Sequence, residues 1–190
     1  PNLDLKKIQV KDKIKLEKQI KKLRNLKRGA ELAKSEKRDR IKVLEVAIKE
    51  HEKNIISYEK DAEIVKDNIL LINGKHYEKA TDLGNIVYDI AANIVNKKIK
   101  STQQLGNIGE IELSISYDIF SDKVRIDFTG NSLSKIDYDF TNETPLKIAN
   151  SLNRKINSYE TSLNNYKSSL NHLKREQEEL LNNQDFRTKQ

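Results

Sequence analysis

Cysteine, methionine and tryptophan are all missing from these 190 residues, and proline occurs only twice. Without cysteine there can be no disulfide, no thiolate metal site and no cysteine nucleophile. Methionine is missing even at position one, so the chain is expected to be processed, excised from something larger, or trimmed of a tag. From Leu3 to about Asn68 no proline interrupts the sequence, so nothing of that kind prevents one long helix. No apolar run reaches the ~18 residues that a bilayer-spanning helix needs, and Pro1-Asn2-Leu3-Asp4 lacks the basic, apolar and small-residue regions of a signal peptide. The expectation is a soluble, cytoplasmic chain with no membrane partner. Neither GxxxxGK[ST] nor GxGxxG occurs, which removes the usual nucleotide cradles, and no cofactor is expected.

What is present is organised at a period of seven. Ile41, Ile48, Ile55, Ala62 and Ile69 repeat at that spacing, interleaved with Leu44, His51, Tyr58 and Val65. Near the other end, Leu152, Tyr159, Tyr166, Leu173 and Leu180 repeat likewise, with Ile156, Leu163 and Leu170 between them. Each pattern draws an apolar seam along a helix, and a seam needs a partner; the nearest partner for each is the other. Tyr58, Tyr159 and Tyr166 then read as seam packing with hydroxyls at the rim. Leu16, Ile20 and Leu23 continue a helical stripe toward the N-terminus, and Gly29 marks a kink, or the end of a separate first helix.

Between the seams the period changes. Ile69-Leu70-Leu71-Ile72 leads into Asn73-Gly74, the preferred pair for a two-residue hairpin, and Lys75-His76-Tyr77 reads as the return strand. Thr81 or Asp82 can cap a helix whose apolar positions Leu83, Ile86, Val87, Ile90, Ala91 and Ile94 recur at three and four, ending near Lys98. Strict alternation follows: Ile111, Leu113, Ile115, Tyr117 and Ile119 on one strand, then Val124, Ile126 and Phe128 after a turn at Ser121-Asp122. Gly130-Asn131 turns into a third strand around Ile136, Tyr138 and Phe140, and the helix covers the apolar face of the meander. Thr144 caps the last helix, Pro145 takes its first position, and the helix runs to about Asn183.

Charge is unevenly spread. Of the net +7, residues 1–40 contribute 15 Lys or Arg against 6 Asp or Glu, and everything after Arg40 sums to -2. Lys11, Lys15, Lys18, Lys21, Lys22, Arg24, Lys27 and Arg28 form the centre of an array, begun by Lys6, Lys7 and Lys13, that can follow a phosphate backbone; the plainer reading is that lysines solvate an exposed helix. No aromatic interleaves them, so base stacking is not supported there. The C-terminal helix is shorter than its partner and is used up near Asn25 to Gly29, so the basic segment either protrudes or folds back at Gly29.

In order, these segments resemble the C-terminal accessory region of the large helicase and adenine-methylase fusion proteins of phages and conjugative elements. The basic helix from Leu5 to Leu26, the hairpin Ile72-Asn73-Gly74-Lys75-His76-Tyr77, the strand Leu113-Ser114-Ile115-Ser116-Tyr117-Asp118-Ile119-Phe120-Ser121 and the helix start Lys147-Ile148-Ala149-Asn150-Ser151-Leu152 carry the likeness. Gly109-Glu110 departs from it, with a charge where that family has an aromatic. Motor and methylase motifs are missing, so the resemblance implies a mobile-element accessory module and neither ATP hydrolysis nor methyl transfer.

The remaining chemistry is sparse. His51, His76 and His172 have no metal-ligand spacing. Gly106-Asn107-Ile108-Gly109 has the form of a phosphate-clamping loop but precedes a strand, which favours a plain turn. Asp118, Asp122, Asp137 and Asp139 read as hairpin-end carboxylates, and Glu176, Glu178 and Glu179 as solvated charges. The expected fold is α+β: a long antiparallel coiled-coil stalk (1–68 and 144–190) with a small antiparallel sheet and one helix as head (69–143). The expected function is non-enzymatic, holding nucleic acid or a nucleoprotein complex through the basic helix. The alternative is a protein that docks on a host defence complex and blocks it, in the manner of an anti-CRISPR. A homodimer through the exposed seam stays open.

Overall fold

The structure, a computed structural model, describes residues 2–188, with side chains from 6 to 183. Its elements in chain order are helix α1 (Asn2–Asp67), strand β1 (Leu70–Ile72), helix α2 (Ala80–Asn96), strands β2 (Gln103–Ile108), β3 (Ile111–Asp118), β4 (Lys123–Thr129) and β5 (Leu133–Asp139), a 3-10 turn at Phe140–Asn142, and helix α3 (Pro145–Thr188). The fold is α+β, with α1 and α3 packed antiparallel and a five-stranded antiparallel sheet accompanied by α2. Contacts group the chain into two units, one of Pro1–Ile48 with Leu173–Gln190, the other of Lys49–His172.

The second unit holds the sheet, in the order β1-β2-β3-β4-β5. Alternation along β3 and β4 places Leu113 opposite Phe128 and Ile115 opposite Ile126, all fully buried. Ile126 in turn faces Ile136, and Val124 faces Tyr138. Leu83, Val87, Ala91 and Ile94 of α2 join this face, with Ile148, Ala149 and Leu152 of α3, in a single core. Burying one such aliphatic side chain contributes about 2 kcal/mol, so the spacing at three and four in α2 fixes where that helix lies. Gly84 is required at this packing: a Cβ there would fall 2.0 Å from the Pro145 carbonyl oxygen, where α3 begins. Thr144 caps α3 as the sequence implies, its hydroxyl accepting from the Lys147 amide at 3.4 Å.

Several expectations are corrected. Asn73 and Gly74 do take the left-handed conformation of the tight turn, with φ of 50° and 81°, but Lys75-His76-Tyr77 is not a return strand. Only Ile72 bridges back to Lys75, and the His76 ring lies 3.3 Å from the Leu70 carbonyl, against the edge where that strand would pair. β1 pairs instead with β2, a strand the sequence did not reveal, so Gly106-Asn107-Ile108 is strand and the turn is Gly109-Glu110, with Gly109 at φ 54°. α2 starts at Ala80, after Lys79, without a side-chain cap from Thr81 or Asp82. α3 continues past Asn183 to Thr188.

In the first unit, α1 passes through Gly29 without a break, so the array does not fold back there; no atom lies within 4 Å of the position a Cβ would take, and nothing forces a kink. Leu44 is fully buried and Ile48 nearly so. Arg40 grips Glu176 with both forks, Nε to Oε1 at 2.8 Å and Nη2 to Oε2 at 3.0 Å. Glu176 is therefore a cross-helix partner rather than a simply solvated charge, and the Arg40 guanidinium holds its carboxyl below the usual carboxylate range. At that register Thr188, the last described residue of α3, falls opposite the Arg28-Gly29 region.

Candidate nucleic-acid interface

Lys11, Lys15, Lys18, Lys21, Lys22, Arg24, Lys27 and Arg28 all lie on α1 and are all exposed. Among the described residues none of the eight is paired with a carboxylate, and the cross-helix ion pairs Arg40–Glu176 and Lys167–Glu59 both lie elsewhere. Asp12 and Glu17 lie in the same stretch of helix, yet neither reaches a lysine within ion-pair distance.

The helical period sorts these cations. At 100° per residue, Lys11, Lys15, Lys18 and Lys22 fall within a sector about 60° wide, with Lys21 and Arg28 adjoining it on one side. The row from Lys11 to Lys22 rises about 1.5 Å per residue, some 16 Å in all, which matches a run of successive phosphates. Lys27 points elsewhere, into the face that carries Leu16, Ile20 and Leu23, and Arg24 lies at the border between the two faces. The structure therefore brings six of the eight onto one continuous face, with Arg24 at its margin and Lys27 apart from it. With no aromatic before Tyr58, that face can contact phosphates but offers no surface for stacking bases.

The second unit supplies anchoring that sequence inspection missed. Asp61 is fully buried on α1 and accepts four hydrogen bonds from the β4–β5 turn: the Asn131 amide at 2.9 Å, the Asn131 side-chain amide at 3.0 Å, the Ser132 amide at 2.6 Å and the Ser132 hydroxyl. Gly130 gives the carboxylate room, since a Cβ there would come within 2.7 Å of its Oδ1. Nothing in the local sequence marks Asp61, because its partners lie about 70 residues away.

Between the helices of this unit runs a stack of rings. His51 meets Tyr166 edge-on at 5.5 Å, Tyr166 meets Tyr58 at 5.3 Å, and Tyr58 meets Tyr159 at 6.2 Å. Burial pushes the Tyr58 and Tyr159 phenols up from their ordinary value. The Tyr159 hydroxyl lies 3.3 Å from that of Ser134. A groove of about 700 Å³ opens beside this stack, lined by Ala62, Val65, Ile156 and Leu163 and rimmed by Glu59, Glu63 and Glu160.

His51, His76 and His172 do not converge, and no group of three His, Asp or Glu side chains that could hold a metal ion occurs among the described residues. The hairpin-end aspartates are engaged locally: Asp118 accepts from the Phe120 amide and the Ser121 hydroxyl, Asp122 accepts from the Tyr117 hydroxyl at 2.6 Å, and Asp139 accepts from Thr141 and Asn142. Among the described residues no helix is long and apolar enough to cross a membrane. In comparisons with known proteins, no family model matches the chain, and no curated protein or solved structure is significantly similar to it.

Proposed function

We propose that this chain is a non-enzymatic binding module that holds a nucleic-acid backbone, free or within a nucleoprotein complex, on the lysine face of α1. The observation that carries the reading is the alignment of Lys11, Lys15, Lys18, Lys21, Lys22 and Arg28 on one exposed face with no carboxylate partner among the described residues. A cation already paired within the protein releases no counterion on binding; an unpaired one does. The resemblance of Leu113 to Ser121 and of Lys147 to Leu152 to the accessory region of mobile-element helicase–methylase proteins supports the same role, placing such a module beside enzymes that work on DNA. The many exposed apolar side chains of α1 keep a protein-docking role, including a block on a host defence complex, as the second reading.

The test is fluorescence anisotropy with a short duplex over a salt series. Six phosphate contacts give a slope of log affinity against log salt of about -5, from about 0.9 per neutralised phosphate. The triple change Lys15→Gln, Lys18→Gln, Lys22→Gln lowers that slope by about 3 and weakens all duplex sequences alike. An affinity that does not change between low and physiological salt overturns the proposal.

A further inference from the structure

The other side of the same helix segment is built differently. In the frame of the buried Leu44 and Ile48, Lys13, Ile20 and Lys27 take the a positions of the heptad, and Leu16, Leu23 and Ala30 the d positions. The coiled-coil seam of α1 therefore continues toward the N-terminus, but without cover: Leu16 is 57% exposed, Ile20 46% and Leu23 65%. A helical seam that extends an existing one in the same register is shaped for another helix.

Charge identifies which helix. Between Lys11 and Glu31 the cations at the outer b, c and f positions are Lys11, Lys15, Lys18, Lys21, Lys22 and Arg28, with no acid among them. The seam and its e and g flanks carry three cations, Lys13, Arg24 and Lys27, and three acids, Asp12, Glu17 and Glu31. The strongly positive face is thus turned away from a surface that is neutral by count. An acidic partner helix would find little net charge to neutralise along this seam, whereas a second copy would meet little net repulsion.

Register narrows it further. In a parallel pair, the e and g flanks that meet would set Asp12 against Glu17 of the other copy. In an antiparallel pair that seats Ile20 on Leu23 of the second copy, Glu17 comes beside Arg24 of that copy, and two-fold symmetry repeats the ion pair on the other side. The same register lays the Lys27 stem over Leu16, where an aliphatic stem packs and its ammonium reaches water.

We infer that α1 self-associates antiparallel through Leu16, Ile20 and Leu23, forming a two-fold dimer whose two lysine faces point outward. The association does not depend on nucleic acid, so its failure is separate from failure of the binding reading.

Sedimentation equilibrium of the full chain without nucleic acid tests this. The overlap spans only about 27 Å, so the dimer is expected in the micromolar range, visible at ~100 µM. Ile20→Ser with Leu23→Ser weakens it about tenfold or more, and because both side chains are exposed, circular dichroism of the monomer is unchanged. Glu17→Arg and Arg24→Glu each weaken it, and the double variant Glu17→Arg/Arg24→Glu restores it. A monomer at every concentration overturns the inference and leaves the seam to a different helix. A dimer indifferent to Ile20 and Leu23 also overturns it, as does a double charge swap that fails to rescue.

Discussion

Asp61 shows how much one side chain can hold. Its carboxylate is removed from water and repaid by two backbone amides, a side-chain amide and a hydroxyl of the Asn131-Ser132 turn. Asp61→Ala leaves the buried Ser132 amide and hydroxyl unmet and frees the exposed Asn131, and the expected loss is about 3 kcal/mol, read as a lower urea midpoint with an unchanged slope. An Asp61→Ala midpoint equal to that of the parent chain contradicts the lock. Tyr138 is the opposite case, since its hydroxyl is buried without a partner among the described residues. Tyr138→Phe deletes an unmet donor and is expected to stabilise by about 1 kcal/mol. Burial first, and Glu143 second, push the Tyr138 phenol up, and burial does the same at Tyr58 and Tyr159. The folded state therefore keeps these protons at a pH where the unfolded chain releases them near the ordinary value of about 10. This contribution is complete below about pH 10 and is lost as pH rises beyond it. Urea midpoints at about pH 8 and about pH 11 check the sign, with Tyr138→Phe falling less than the parent chain between them.

At the scale of elements, two glycines have opposite meanings. Gly29 is exposed within a continuous helix with open space around it, so Gly29→Ala is expected to gain about 1 kcal/mol of local helix stability, seen as slower amide exchange around position 29. Gly106 lies where β1 and β2 approach: a Cβ would fall 1.9 Å from the Leu71 carbonyl oxygen. Gly106→Ala must displace β1, and overpacking of this kind costs about 1–3 kcal/mol; retention of the parent melting temperature rules that out. The same strand shows where sequence reading ends. β3, β4 and β5 were legible because their apolar residues alternate, and α1 and α3 because seven-residue repeats survive over many turns. β2 was not, because Gln103 to Ile108 offers only Leu105 and Ile108 as apolar residues, and a register shift between Gln104 and Gly106 buries neighbouring positions together. The expected hairpin failed for a similar reason: Asn73-Gly74 specifies a turn, but whether a strand follows depends on what occupies the edge, and here that is the His76 ring. The lysines were legible as an array. Their division into an outer face and a seam became certain only once α1 proved unbroken at Gly29, since a kink there would have rotated one part against the other.

Across the whole molecule, the proposed binding face and the core occupy different stretches of chain. The main core cluster belongs to the unit of Lys49–His172, whereas every described side chain from Lys6 to Leu32 is exposed. Backbone hydrogen bonds of a helix with no buried face are protected only by local helix stability, whereas those of a central strand open only with the global fold. Amides in residues 11–31 are therefore expected to exchange at least ~100-fold faster than those of β3 and β4. A ligand on the lysine face adds its binding energy to that local opening and leaves the sheet as it was. Adding a short DNA duplex at low salt should slow exchange in residues 11–31 and not in β3 or β4, and self-association at high protein concentration should slow the same stretch without DNA. Slowing confined to the sheet, or spread evenly along the chain, would show that the ligand is held by the core unit, and the cationic face of α1 would then serve only to solvate its helix.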